Sequence, residues 1–222
     1  MGDSGRLRQL LREVQVFPEQ MPEFDPVQTP DQPAELFLQW LAAAVDAGAL
    51  APHAVNLATM GADGTPDARI VILKDVSQGC WCFASSSTSP KGQQLQDNPT
   101  AALTFFWPSV GRQIRIRGRV HVGSPVENDQ DFKRRNPVAK ALVLAGRQSE
   151  ILQSTEYLDA AVAGAREQFD VDPETGSPSW TVYKVTAQTV EFWQADPDRR
   201  HIRLRYSRSD GHSAWNKDLL WP

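Results

Sequence analysis

Arg69-Ile70-Val71-Ile72-Leu73-Lys74 is a run of β-branched and apolar residues with a cation at each end. β-Branched residues favour extended strands and apolar side chains favour burial, whereas two full charges resist burial. The stretch therefore predicts a buried strand whose two ends emerge where an anion is bound. Taken alone, Arg69 and Lys74 are explained at least as well as cations that reach solvent along their aliphatic stems.

Strand-like segments surround this stretch on both sides. Ala54–Met60 and Asp67–Lys74 flank Gly61-Ala62-Asp63-Gly64-Thr65-Pro66, which is typical of a hairpin turn. Further strands are predicted at Cys80–Ala84, Ala101–Trp107, Arg112–Val122, Trp180–Trp193, Ile202–Arg208 and Ala214–Lys217. Their order predicts a mainly β, α+β fold, an antiparallel barrel with helical additions. The strand–helix alternation and the Gly-rich loop of a dinucleotide-binding parallel sheet are both missing.

Helical periodicity predicts the additions between the strands. Asp31 is predicted to cap the first helix, with Pro33 in its first turn, and Gly48 to end it. Further helices are predicted at Pro90 to about Asp97, Val126 to about Arg135, Val138–Ala145 and Thr155 to Phe169. Residues 1–30 are rich in Pro, Gln and acidic residues, which predicts an extended N-terminal arm before a single domain over residues 31–222.

Composition excludes several classes of function. The chain has 222 residues, 41% hydrophobic and 23% charged, as is typical of soluble globular proteins. A formal net charge of -4 argues against a general nucleic-acid binder, and no apolar run has the length of a membrane span. No signal-peptide pattern opens the chain, so a cytoplasmic protein is expected. Cys80 and Cys82 are interpreted as reduced core thiols, because no second Cys/His pair completes a metal site.

Two polar segments are candidates for binding a phosphorylated ligand. Ser85–Ser89 followed by Lys91 offers hydroxyls, backbone donors and a cation at a predicted helix start, which suits a phosphate. A solvated serine loop explains the same residues equally well. Gln113 begins a strand, and its amide can both donate to and accept from a heterocycle. The arginines on its strand face are interpreted as an outward polar surface: Arg115, Arg117 and Arg119.

The C-terminal part places an aromatic residue before a dense group of cations. Trp193 precedes Arg199, His201 and Arg203, which alternate and would converge on one side of a strand. Converging cations are costly without an anion or an acidic partner, so the group favours a flat, phosphorylated ligand. Core packing is the alternative interpretation of Trp193.

Together and in order, these motifs resemble the pyridoxine (pyridoxamine) 5'-phosphate oxidase family of flavoproteins, from about residue 35 to Pro222. The motifs that carry the resemblance are Arg69–Lys74, Ser85–Lys91, Arg112-Gln113, Arg147-Gln148-Ser149, Glu191-Phe192-Trp193-Gln194 and the alternating Arg199, His201 and Arg203. The resemblance implies a split β-barrel that forms a homodimer. It also implies that two molecules of flavin mononucleotide (FMN) are bound across the dimer interface.

The resemblance further implies a role for each matching residue. FMN is expected to contact Arg69, Ile70, Val71, Ile72, Leu73, Lys74, Ala84, Ser85, Lys91, Gln113, Gln148, Ser149, Trp193 and Arg203. The substrate is expected to contact Lys74, Asp131, Arg135, Arg199 and His201. Arg199 and His201 are also the expected catalytic residues, and no metal is expected.

Several positions depart from the family pattern. Ala84 replaces the tyrosine of an FMN-binding Tyr-Thr pair, and Pro90 replaces an arginine before the phosphate-binding lysine. In the substrate-phosphate pocket Asp131 replaces a tyrosine and Ala139 replaces a serine. A carboxylate that faces a phosphate dianion is repulsive, so recognition of phosphorylated vitamin B6 is expected to be impaired. The phenazine-biosynthesis branch of the family likewise lacks that tyrosine.

The expected function is therefore that of an FMN-dependent oxidase. A reduced heterocyclic small molecule would transfer a hydride to FMN, and O2 would reoxidise the flavin and give H2O2. The departures favour an unphosphorylated, phenazine-type substrate, with authentic pyridoxine/pyridoxamine 5'-phosphate oxidase activity as the alternative. A flavin-binding module without turnover and a deazaflavin-dependent reductase also stay open. The expected partners are the substrate, O2 and a second copy of the chain, with neither nucleic acid nor membrane.

Overall fold

Eight strands and six helices make up the fold in a computed structural model that describes residues 3–172, 174–211 and 213–222. The helices are α1 (Asp3–Glu13), α2 (Pro33–Asp46), α3 (Pro90–Asp97), α4 (Pro125–Lys133), α5 (Pro137–Leu144) and α6 (Thr155–Val171). The strands are β1 (Ala54–Met60), β2 (Pro66–Ser77), β3 (Cys80–Ser86), β4 (Thr100–Trp107), β5 (Arg112–Val122), β6 (Trp180–Gln194), β7 (Ile202–Ser207) and β8 (Asn216–Leu219). A short 3-10 helix over Pro108–Val110 joins β4 to β5.

The described strands pair antiparallel in the order β3-β2-β1-β4-β5-β6-β7-β8, and β3 also pairs with β6. That additional pairing closes six strands into a barrel and leaves β7 and β8 outside it. The first half of β6, from Trp180 to Thr186, lies against β3, and its last residues, Thr189 to Gln194, pair with β7. The predicted antiparallel barrel with helical additions is therefore confirmed.

Alternating side chains fill the barrel, because successive residues of a strand point to opposite faces. On β5, Ile114 and Ile116 are buried, whereas the outward-facing Arg115, Arg117 and Arg119 are exposed. This confirms the interpretation of the three arginines as an outward polar surface in the single chain. Cys80 and Cys82 are free thiols, and burial raises the pKa of Cys82 to about 11.

Helix α2 packs the ring of Phe37 onto the barrel. This side chain is fully buried, and its ring makes edge contacts with Trp81 at 5.7 Å and with Phe105 at 5.0 Å between centroids. The helix begins after Gln32, with no side-chain cap. The prediction that Asp31 caps it was wrong, because that carboxylate accepts a hydrogen bond from Lys217 Nζ at 2.9 Å instead.

The N-terminal segment differs in part from the extended arm predicted for it. Residues Asp3–Glu13 form helix α1, in which Leu, Arg, Gln and Glu are strong helix formers and proline is absent. The proline-containing stretch that follows has no regular helix or strand as far as α2. It lies on the domain through Phe24, whose ring packs 4.9 Å from that of Trp40, and through the carbonyl of Pro30, which accepts a 2.7 Å hydrogen bond from Tyr206.

Across the described ranges, none of the helices combines the length and apolar character required to cross a membrane. The same part of the chain shows no group of three or more His, Cys, Asp or Glu side chains arranged to hold a metal ion.

Phe37→Ala is expected to lower the free energy of unfolding by about 3–5 kcal/mol, because it removes a fully buried aromatic ring and leaves a cavity. Urea denaturation with linear extrapolation measures the change. The matched control is Leu38→Ala at the next position of α2, where the side chain is 49% exposed and the loss is expected to stay below about 1 kcal/mol. Similar losses in the two variants would contradict this account of the core.

Candidate functional site

A cavity of about 530 Å³ lies between the barrel and the helices α5 and α6. This volume is within the range of roughly 300–1,000 Å³ that small-molecule sites have. Strands β2 and β3, the start of α3 and the loop after α5 complete its walls. Nine of the residues predicted to bind cofactor or substrate line it: Ile70, Val71, Ile72, Lys74, Ala84, Ser85, Lys91, Arg135 and Gln148.

The apolar residues of β2 divide between the barrel core and the cavity wall. Leu73 packs against the core and Val71 contacts both the core and the cavity, whereas Ile70 is 64% exposed and Ile72 is 44% exposed on the opposite face. The prediction of a fully buried strand was therefore wrong for Ile70 and Ile72 in the single chain. Alternation of side chains along the strand supplies an apolar wall to the cavity, which suits the face of a flat ligand.

Lys91 is a buried cation at the start of α3. Its side chain is 7% exposed, and Nζ donates to the hydroxyls of Ser85 at 3.2 Å and Ser89 at 3.3 Å. Ser89 caps α3 by accepting a hydrogen bond from Gly92 N at 3.3 Å. Part of the serine segment predicted as a loop is strand, since β3 continues to Ser86.

No carboxylate lies within ion-pair distance of Lys91 among the described residues, whereas most other lysines have one. Burial lowers the pKa of Lys91, and the nearby charge of Arg69 lowers it further. A buried charge is costly unless it is paired, and the N-terminus of α3 adds positive potential at the same place. The residues therefore fit an anionic group such as a phosphate.

The backbone approaches closely at this helix start. A Cβ atom added to Gly92 would lie 2.4 Å from the carbonyl oxygen of Ser87, so the serine segment packs directly on the first turn of α3. This close packing keeps the hydroxyls of Ser85 and Ser89 beside Lys91.

A second polar cluster forms where α4 meets the start of β6. Asp131 pairs with Lys74 at 3.1 Å and accepts a 2.8 Å hydrogen bond from the indole of Trp180. The guanidinium of Arg135 lies 4.0 Å from the centre of the Trp180 ring, and burial lowers its pKa. Arg135 Nε is buried and has no hydrogen-bond partner among the described residues. The cluster therefore brings Asp131 and two predicted substrate-binding cations together, with Lys74 already paired.

The turn after α5 brings Gln148 to the cavity. Arg147 anchors this turn, because its side chain donates to Glu150 at 2.8 Å and to the hydroxyl of Tyr157 at 2.9 Å. Ser149 has a φ of 71°, a left-handed conformation that is uncommon for a residue other than glycine. Its neighbour Gln148 lines the cavity, whereas Ser149 does not.

The predicted C-terminal residues form a separate group, which we call the C-terminal patch: Gln113, Trp193, His201 and Arg203. Trp193 stands opposite Gln113 on β5 and opposite Arg203 on β7, so these side chains share one face of the sheet. The ring of His201 lies 4.8 Å from that of Trp193, and its Nδ1 accepts a hydrogen bond from Asp196 N at 3.1 Å. Nε2 of His201 is therefore the nitrogen left to face a ligand.

Arg203 has an acidic partner that the sequence analysis did not identify. Its guanidinium donates two hydrogen bonds to Glu191, at 3.0 and 2.8 Å. Arg199 lies outside the strand with a φ of 63°. The prediction of three cations converging on one side of a strand was wrong, because the strand begins at Ile202 and Glu191 compensates Arg203.

The cavity and the C-terminal patch lie at opposite ends of β6. Trp180 lines the cavity at the first residue of β6, whereas Trp193 belongs to the patch near its end. At about 3.3 Å per residue, the strand between them spans roughly 40 Å of contour. The single chain therefore gathers the predicted residues into two groups rather than one. Predicted residues that do not line the cavity are Arg69, Leu73, Gln113, Asp131, Ser149, Trp193, Arg199, His201 and Arg203.

Several cavity residues were missed by the sequence analysis. The apolar side of the cavity comes from α5 and α6 and includes Leu142, Val143, Tyr157 and Leu158, while Trp180 lies beside Arg135. Helical periodicity identified these helices, but periodicity alone does not say which neighbour an apolar stripe covers.

Comparison with known proteins agrees with this geometry. The family model described as "Pyridoxamine 5'-phosphate oxidase" matches residues 41–194, and the "Pyridoxine 5'-phosphate oxidase C-terminal dimerisation region" matches residues 180–222. The second match supports the predicted homodimer.

Individual relatives match along most of their length. The chain is 37% identical over 192 residues to a pyridoxine/pyridoxamine 5'-phosphate oxidase of Rhodopseudomonas palustris (strain BisA53), covering 86% of this chain and 90% of that protein. It is 39% identical over 193 residues to the oxidase of the same name from Salinibacter ruber (strain DSM 13855 / M31), covering 86% of this chain and 90% of that protein.

A solved structure gives the same result. PhzG from Burkholderia lata 383, determined in complex with tetrahydrophenazine-1-carboxylic acid, superimposes with a TM-score of 0.83 at 31% identity, covering 94% of this chain and 100% of that one. The resemblance inferred from the sequence motifs is confirmed, and the chain belongs to the pyridoxamine 5'-phosphate oxidase family.

Proposed function

We propose that this protein is a homodimeric, FMN-dependent oxidase of a reduced heterocyclic small molecule. The observation that carries the proposal is Lys91, a buried cation with two hydroxyl neighbours and no carboxylate partner among the described residues, at a cavity with an apolar wall. Such a cation fits the phosphate of a flat cofactor, and the wall formed by Ile70 and Ile72 fits its ring. Membership of the family supports the choice of FMN.

The residues of the cavity would hold and orient FMN. Lys91, Ser85 and Ser89 would bind its phosphate, and Gln148 would contact the flavin from the turn after α5. The chemistry that bound FMN would supply is acceptance of a hydride from the substrate, with reoxidation by O2 to H2O2. The protein contributes proximity, because substrate and cofactor are held in contact within one enclosed site.

A two-fold dimer would bring the two separated groups together. Three of the four residues of the C-terminal patch, Trp193, His201 and Arg203, belong to the segment that matches the family's dimerisation region. In an isologous dimer the same surface is used twice, so the patch of each subunit can complete the cavity of the other. Trp193 and Gln113 would then reach the flavin, and Glu191 would keep Arg203 extended toward it.

His201 and Arg199 would position the substrate. Because Nδ1 of His201 accepts the amide hydrogen of Asp196, a neutral ring carries its proton on Nε2. That nitrogen can hydrogen-bond a substrate ring or exchange a proton with it. Arg199 supplies a permanent cation beside it.

Asp131 favours an unphosphorylated substrate. Its carboxylate stands between Lys74 and Trp180, beside Arg135, so that a phosphate dianion bound here would meet a negative charge. The structure of PhzG contains a tetrahydrophenazine carboxylic acid, which is a reduced and unphosphorylated heterocycle. The relatives named pyridoxine/pyridoxamine 5'-phosphate oxidase support the second candidate, a vitamin B6 phosphate.

FMN binding and redox cycling test the proposal directly. Purified protein is expected to stay yellow after dialysis against FMN-free buffer and to melt at a higher temperature with FMN than without it. A reduced heterocyclic substrate should bleach the flavin absorption under nitrogen, and air should restore it. Binding without bleaching by any candidate would favour a non-catalytic flavin module, and colourless protein with an unchanged melting temperature would refute the assignment.

Lys91→Met is expected to weaken FMN binding by at least tenfold while it stabilises the ligand-free protein. In the complex Lys91 would pair with the phosphate of FMN, so losing its charge lowers the affinity. In the ligand-free protein the same charge is buried without an anionic partner, so removing it relieves a desolvation penalty. Because burial lowers the pKa of Lys91, its penalty is fully present at pH 7 and decreases as pH rises toward the ordinary lysine value of about 10.4.

The stability advantage of Lys91→Met, measured by melting curves without flavin, should therefore be larger at pH 7 than at pH 10. Lys133→Met is the matched control, because Lys133 is partly exposed and pairs with Glu174 at 2.8 Å. It should leave FMN affinity unchanged and give no stabilisation. Lower stability of Lys91→Met at pH 7 would contradict the description of Lys91 as an uncompensated cation.

Asp131→Asn and Asp131→Tyr are expected to raise kcat/KM for pyridoxine 5'-phosphate by about tenfold, which corresponds to roughly 1.4 kcal/mol of repulsion removed. Asn retains an acceptor for the Trp180 indole, so this variant isolates the charge. Asp129→Asn on the same helix, where Asp129 pairs with Lys133, is the control without effect. Wild-type turnover of pyridoxine 5'-phosphate equal to that of the Rhodopseudomonas relative would refute the preference.

A further inference from the structure

Arg69 belongs to a closed ring of four polar side chains beside the cavity. It donates to Asp67, to Thr59 and, at 3.1 Å, to Gln94 Oε1. The ring closes because Gln94 also donates to Asp67 at 3.2 Å and accepts from the Thr59 hydroxyl at 2.5 Å. Asp67 and Arg69 are two residues apart on β2, so their side chains share a face.

The ring holds Arg69 outside the cavity lining but next to the face of α3 that carries Lys91, because its member Gln94 lies three residues after Lys91 on that helix. Arg69 does not line the cavity, although its neighbours Ile70 and Val71 do. The charges of Arg69 and Asp67 act on the pKa of Lys91 in opposite directions. One further cation, Arg69, and one carboxylate, Asp67, therefore share the neighbourhood of the buried lysine.

The carboxylate is ionised at neutral pH. A hydrogen bond from Gln94 and the charge of Arg69 lower the pKa of Asp67. Asp67 is 49% exposed and Arg69 is 18% exposed. An ion pair with one half-exposed member is weak, so a phosphate dianion can displace Asp67 from Arg69. The free energy of the lost ion pair then subtracts from the free energy of phosphate binding.

We propose that Asp67 competes with the phosphate of the cofactor for Arg69, and thereby sets how tightly the protein retains a phosphorylated flavin. This inference rests on the proposed binding of FMN. It makes Asp67 a specificity-determining residue, because riboflavin has the same ring without the phosphate. The preference for FMN over riboflavin is the ratio of the riboflavin dissociation constant to the FMN dissociation constant. Asp67 makes this ratio smaller than it would be if Arg69 and Lys91 acted without a competing carboxylate.

The test is the affinity of Asp67→Asn for FMN and for riboflavin, measured by quenching of flavin fluorescence. Asn keeps an acceptor for Arg69 and removes the charge, so the ring can persist. FMN should bind about two- to fivefold more tightly than to the wild type, within the range that partly exposed ion pairs span. Riboflavin affinity should be unchanged, and the gain for FMN should shrink as salt is raised.

Asp46→Asn at the end of α2 is the matched control, since it removes one exposed carboxylate outside the ring and the cavity lining. It should change neither affinity. Unchanged FMN binding by Asp67→Asn would overturn the proposal. Weaker binding would also overturn it and would show instead that the charge of Asp67 orients Arg69 productively.

A double-mutant cycle identifies the group through which Asp67 acts. In an Arg69→Ala background, Asp67→Asn should give no further gain in FMN affinity. An equal gain in both backgrounds would overturn the proposal, because the carboxylate would then repel the phosphate without competing for Arg69. If the wild-type protein binds neither flavin, the proposed function itself fails. If the wild-type protein binds FMN and Asp67→Asn binds it with the same affinity, only this inference is overturned.

Discussion

The pairing of β3 with β6 is the contact on which the rest of the structure depends. It runs from Cys80 opposite Thr186 to Ser86 opposite Trp180, and it closes the barrel. The same pairing places Ser85, which bonds Lys91, beside the strand that begins at Trp180. Because β6 continues beyond β3, its far end is free to pair with β7 and to build the C-terminal patch. A single long strand therefore connects the cavity with the C-terminal patch.

The distribution of carboxylates decides what the site can bind. Lys74 pairs with Asp131, Arg69 with Asp67 and Arg203 with Glu191, so three cations that the sequence suggested for ligand binding are already compensated. Lys91 has no such partner among the described residues, and the charge of Asp131 acts on Arg135. An anion such as the cofactor phosphate therefore gains the most binding free energy beside Lys91. The carboxylate of Asp131 disfavours a second dianion, such as a substrate phosphate, at its own cluster.

Much of the fold could be predicted from local sequence signals. The limits of β1, α3 and β5 agree with the predicted Ala54–Met60, Pro90 to Asp97 and Arg112–Val122. Alternation along β5 also distinguished the core face from the arginine face. The errors occurred where local patterns are ambiguous. Asp31 is a good capping residue by type, yet its carboxylate pairs with Lys217, and the apolar Ile70 lines a cavity instead of the core.

The sequence by itself determined where strands and helices lie, which motifs suit a phosphate and a flat ring, and which family the chain resembles. Side-chain periodicity and short motifs suffice for this because they are local. Tertiary structure alone decided which acid faces which base. Asp131 reaches Lys74 from 57 residues away, and Glu191 meets Arg203 across a strand pair. Strand register and helix placement fix such contacts, and both depend on the packing of the whole barrel.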